Sequence, residues 1–63
     1  MKVIELMGSS EKSWEDAVNK TVKKASKSVK NIRSVYVQDM SAAVVDDKVS
    51  EYRVTVKVTF EVV

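Results

Sequence analysis

Tyr52-Arg53-Val54-Thr55-Val56-Lys57-Val58-Thr59-Phe60-Glu61-Val62 alternates apolar and polar residues without a break. Successive side chains of a strand point to opposite faces. The segment therefore predicts a strand with Tyr52, Val54, Val56, Val58, Phe60 and Val62 towards a core and Arg53, Thr55, Lys57, Thr59 and Glu61 away from it. Just upstream, Asp46-Asp47-Lys48 is a polar turn. Before that turn, Val35 and Val37 alternate with Tyr36 and Gln38, which predicts a second strand from about Arg33 to Ala43, joined to the last in a hairpin.

Further upstream the period changes. Trp14, Ala17, Val18, Thr21, Val22, Ala25, Val29 and Ile32 recur at helical spacing and form one apolar stripe, with Trp14 read as a core residue. Ser13 is placed to cap this helix, and Asp16 three residues on stands in for the Glu of a capping box. Glu15 and Asp16 at the start, with Lys24, Lys27 and Lys30 towards the end, match the helix macrodipole. Val3-Ile4-Glu5-Leu6-Met7 is a first strand, and Gly8-Ser9-Ser10 after it is a turn signal. The order strand, helix, strand, strand predicts an α+β fold with the helix lying on a three-stranded antiparallel sheet.

Composition narrows the chemistry. The chain has 63 residues with 44% hydrophobic and 32% charged side chains, a single Gly, no Pro and no repeat, which predicts one domain over residues 1–63. Without Cys or His it has no disulfide, no Cys/His zinc or iron site, and no catalytic dyad or triad built on a His base or Cys nucleophile. We expect no enzymatic activity. A lone core below about 70 residues rarely leaves more than roughly 3–5 kcal/mol of stability, so self-association is the support still open to it. No apolar run approaches the roughly 18 residues of a membrane span and Met1–Glu5 lacks an apolar signal core, so a cytoplasmic location is expected.

A sheet with one helix leaves its other face open. Strand periodicity puts Ser34, Tyr36, Gln38 and Met40 of the second strand there, with Arg53, Thr55 and Lys57 of the third. Such a face is either solvated or buried against other copies around a ligand. Gly8-Ser9-Ser10-Glu11, the helix opening at Trp14, Asn31-Ile32-Arg33, and Tyr52-Arg53-Val54 running to Phe60-Glu61-Val62 together resemble the dodecins over nearly the whole chain. The resemblance implies a sheet wrapped around one helix and a hollow homododecamer of cubic symmetry. It also implies storage of a small molecule, in the best-known members a flavin (FMN, riboflavin or FAD) held in pairs.

It implies particular site residues too. Where flavin-binding dodecins place a stacking Trp near the start of the second strand, this chain has Ser34. Where they place a Gln after the Tyr of the third strand, it has Arg53. Tyr36, Gln38 and Asp39 would lie nearest to them, Asp39 matching an acidic position near the site in some members. Loss of an aromatic platform forfeits about 0.5–1.5 kcal/mol beyond area burial, so flavin affinity is expected to be weak or absent. A guanidinium offers only donors, which turns the pocket towards anions.

Relatives that share Ser13-Trp14-Glu15 and an Arg after the Tyr include a branch associated with calcium. Asp39, Asp46, Asp47, Glu51 and Glu61 are the oxygen ligands on offer, in no EF-hand arrangement, so a calcium site would be shared between copies. A shell with a vestigial ligand site is the other possibility. Lys20, Lys23, Lys24, Lys27, Lys30 and Arg33 make a basic stripe, but the net charge is only +2 and no nucleic-acid motif is present, so no specific nucleic-acid partner is expected.

Overall fold

The computed structural model describes residues 1–62 and contains β1 (Lys2–Ser10), α1 (Trp14–Ala25), β2 (Ile32–Val45) and β3 (Lys48–Phe60). The three strands form one antiparallel sheet in the order β1-β3-β2, so the cleanly alternating segment is the central strand. It needs the most regular pattern because it is paired on both edges. Val54, Val56 and Val58 are buried in the middle of the sheet, with Ile4, Leu6, Val35, Ile32, Val18 and the buried Ala17 packed around them. No helix is long and apolar enough to cross a membrane.

The β2–β3 hairpin closes through Asp46 and Asp47 alone, since Val45 pairs with Lys48. Both residues have positive φ, 52° and 63°. That is the two-residue turn whose twist matches paired strands, and Asp tolerates the left-handed region better than most non-glycine residues.

Several local expectations are revised. Gly8-Ser9-Ser10 is not a turn but the end of β1, which continues to Ser10. The glycine is needed because α1 crosses the strand there: a Cβ at Gly8 would overlap Thr21 Oγ1 and press against Ala17 O at 3.4 Å. Ser13 does cap α1, its hydroxyl accepting from the Asp16 N–H at 3.0 Å. The Asp16 carboxylate, however, accepts from the Ser10 hydroxyl at 2.5 Å and pairs with Lys20 at 3.3 Å, so it ties the helix to β1 instead of completing a capping box. The Ser10 hydroxyl in turn accepts from Lys12 N–H at 2.9 Å, which satisfies this buried group on both sides.

The helix also ends sooner than its periodicity implies, at Ala25, leaving Lys27 and Lys30 outside it. Ser26 caps the end and its hydroxyl donates to Lys23 O at 2.6 Å, a local bond that competes with further helix. Ile32 belongs to β2 opposite Phe60, and Asn31, at φ 60°, makes the reversal between the two elements.

The apolar face of the sheet is covered unevenly, because α1 lies over β1 and β3 and barely reaches β2. Val37, Met40, Val44 and Val49 are left exposed on it, at 36–63% of their full surface, and Val45 is exposed on the opposite side. Trp14 is no core residue either: it stands at the foot of α1, 37% exposed, with its ring edge-on to Tyr52 (centroids 4.9 Å apart) and its indole N–H donating to Ser41 O at 2.9 Å. The position at the start of the helix carries it past the end of the core to the root of the hairpin.

The molecule measures 48 × 18 × 13 Å with a radius of gyration of 12.8 Å. A compact chain of this length would have about 10.6 Å. Its accessible surface of 4834 Å² likewise exceeds the roughly 4,100 Å² of a compact monomer of 7.1 kDa.

Candidate functional site

The face of the sheet away from α1 is built in rows, each row being one residue from each strand. From the helix-terminal end these are Val3-Thr59-Ser34, Glu5-Lys57-Tyr36, Met7-Thr55-Asp39 and Ser9-Arg53-Ser41, followed by Glu51-Ala43 where β1 has ended. Two of these rows depart from strand parity. Val37 pairs with Val56 and Asp39 with Thr55, so Gln38 is an extra residue in β2. An unpaired residue shifts every later side chain to the other face.

Gln38 therefore occupies the bulge. Asp39, expected on the face opposite Gln38, joins Tyr36 and Arg53 on the open face, and Met40, expected there, moves to the helix side opposite Val54. A second irregularity at Arg33 brings Ser34 opposite Thr59. Arg33 itself pairs with Glu61 at 3.3 Å, so Glu61 is engaged at the sheet's end rather than standing free on the face.

The structure thus gathers Ser34, Tyr36, Asp39 and Arg53 on one face but does not gather them at one point. Ser34 is level with Thr59, which is six positions along β3 from Arg53, about 20 Å at 3.3–3.4 Å per residue. Most of the face is exposed, Tyr36 at 65% and Met7 at 82%, while Thr55, Thr59, Glu51 and Ala43 are half-buried.

Arg53 is not a free cation. Its Nε donates to Glu51 Oε1 at 2.7 Å, both side chains remaining partly accessible. Glu51, with Met7 and Ser9 of β1, also borders a shallow depression of about 200 Å³ against Arg53. The sequence alone offers Glu51 only as one of several carboxylates and gives no sign that Met7 and Ser9 join the face, although a residue two before Arg53 on a strand must share its side. A larger hollow of about 600 Å³ lies at the other end of the molecule, between Val29–Asn31 and Phe60–Val62, and of the expected site residues only Glu61 lines it. We favour the open face, whose polar side chains converge from three strands, over this mainly apolar hollow.

Asp39, Asp46, Asp47, Glu51 and Glu61 do not converge: among the described residues no three metal-ligating side chains come together. The Asp16 carboxyl is held below its usual range, chiefly by the Ser10 hydroxyl, with desolvation opposing it and Lys20 and Lys12 lowering it further. It lies on the helix side, outside this face.

One helix partly covering one face of a three-stranded antiparallel sheet, with the opposite face and a long hairpin left bare, defines a minimal α+β fold. The dodecin family model matches residues 1–63, and the chain belongs to the dodecin family. Among solved structures it is similar to an arginine-to-alanine mutant of the Thermus thermophilus dodecin, at 29% identity and TM-score 0.89, over 94% of this chain and 88% of that one. It is similar also to the dodecin of Streptomyces coelicolor, at 25% identity and TM-score 0.90, over 94% and 84% of the two chains. The dodecin from Streptomyces davaonensis shares the fold at 24% identity and TM-score 0.89, over 94% and 87%. No curated protein matches the chain.

Proposed function

We propose that the protein is a non-catalytic binding or storage module, a homododecamer that holds a small molecule between the open sheet faces of neighbouring copies. The observation that carries this reading is the separation of Ser34 from Arg53. A ligand that touches both regions either spans about 20 Å or takes Ser34, Tyr36 and the Gln38 bulge from one copy and Arg53 from another. The surplus exposed area and the bare apolar arm support association independently.

Flavin is the ligand class that family membership suggests, with affinity reduced because Ser34 offers no ring to stack on. The decisive experiment pairs light scattering with flavin fluorescence titration. The expected result is an assembly of twelve chains that quenches flavin weakly, and in which Ser34→Trp combined with Arg53→Gln strengthens quenching. A stable folded monomer at micromolar concentration would overturn the assembly. An assembled double variant with no gain would remove flavin from this face, and a midpoint of unfolding raised by Ca²⁺ and lowered by chelator would put calcium in its place.

A further inference from the structure

Arg53 stands in the centre of its row, flanked by Ser9 on β1 and Ser41 on β2. Its charge is cancelled where it stands. The Glu51 carboxylate is in contact at 2.7 Å, and Asp39 lies on the adjacent row diagonally across from it, a relation that places Cβ atoms roughly 7–8 Å apart. Asp39 stands in the same diagonal relation to Lys57, so the Glu51 carboxylate in contact carries most of the neutralisation at Arg53. An anion approaching Arg53 meets a guanidinium already satisfied at Nε and a carboxylate that repels it.

The same pair is well suited to a different partner. With Nε bound to Oε1, the Nη groups still donate and Oε2 still accepts, and the two side chains remain 58% and 37% accessible. Donor and acceptor stand side by side at the rim of the depression, with the Ser9 hydroxyl beside them and the Met7 side chain as an apolar wall. A cyclic imide or amide presents the complementary edge, a carbonyl next to an N–H.

We propose that Glu51 is a specificity-determining residue: by pairing with Arg53 it makes the open face select uncharged ligands with an adjacent donor and acceptor over anions of the same shape. The proposal deepens the binding reading above and rests on it, yet the pair lies within one chain, so the two can fail separately.

Uracil and orotate, which share a ring and differ by a carboxylate, are suitable probes. Dissociation constants are measured by saturation-transfer NMR on the full chain, for wild type, Glu51→Gln and Arg53→Gln, with light scattering on the same samples. Wild type is expected to favour uracil. Glu51→Gln keeps the shape and an acceptor but removes the charge, and is expected to shift the uracil-to-orotate preference roughly tenfold towards orotate. That lies between the roughly fourfold effect of a unit charge removed at about 5 Å in bulk water and the larger one at an effective dielectric constant of about 20. Arg53→Gln should abolish the orotate gain when combined with Glu51→Gln. An unchanged preference in a Glu51→Gln variant of wild-type mass, or binding of neither probe, overturns the proposal. A monomeric wild type whose preference still shifts overturns the shared site and leaves the role of Glu51 standing.

Discussion

The two halves of β3 meet opposite fates, and only the half from Tyr52 onward alternates regularly. From Val54 to Val58 the apolar side chains are sealed beneath α1 and among the residues of β1. From Lys48 to Glu51 the strand pairs only with β2, no helix covers it, and Val49 stands half exposed beside Val44. The packed half draws its stability from within the chain. The arm gains nothing from its apolar residues unless another surface covers them, so its composition makes sense for an interface rather than for a monomer.

Replacing Val44 by Glu and Val49 by Lys breaks this comparison most severely. The two positions face each other, so opposite charges preserve hairpin pairing while the arm loses its apolar surface. The expected outcome is collapse of the assembly to folded monomers, seen by light scattering, with a circular dichroism spectrum that is retained. If the assembly keeps its mass, the arm is not its interface.

Val56→Ala acts on the packed half. Val56 is fully buried, and removing its methyl groups should cost about 2 kcal/mol through lost burial and the cavity left behind. Chemical denaturation should register this loss, and Val44→Ala at the exposed arm should cost much less per chain at concentrations where both variants have the same oligomeric state.

Trp14→Phe probes the joint between the halves. It keeps an aromatic edge for Tyr52 but deletes the bond from the indole N–H to Ser41 O. A loss of about 1 kcal/mol is expected. Faster amide exchange around Ser41 with unchanged protection of Val56 would confirm that the indole fastens the arm alone.

The smallest effect concerns acid. The folded-state pKa of Asp16 is depressed, first by the Ser10 hydroxyl and then by Lys20 and Lys12. A carboxyl of this kind stabilises the fold while it is ionised, at pH above its unfolded value, and that contribution disappears as the pH falls through the folded value. Thermal melts of wild type and Asp16→Asn should therefore differ most near neutrality and converge in acid. A difference that stays constant across this range would mean that the carboxylate's charge plays no part.

Much of this arrangement was legible in the residues themselves. The alternation from Tyr52 to Val62, the cap at Ser13, the turn at Asp46-Asp47 and the strand, helix, strand, strand order each rest on local chemistry, because neighbouring residues determine which face a side chain takes and which backbone angles it tolerates. The resemblance to the dodecins was legible for the same reason, being spread over the whole chain.

What the tertiary structure alone decided is the membership of the faces. The extra residue at Gln38 has no compositional mark, yet it exchanges Asp39 for Met40 on the open side, since a strand counted by parity cannot reveal a residue that pairs with nothing. Trp14 looked like core because periodicity reports which stripe a residue occupies and not how far along that stripe the partner sheet extends. Helix length, likewise, was settled at Ala25 by the Ser26 hydroxyl and by the pairing of Ile32 with Phe60, a competition between local bonds and a strand 28 residues away in sequence. The neutralised charge of Arg53 also depended on geometry, for two side chains on one strand face become a pair only when the rotamers bring their ends together.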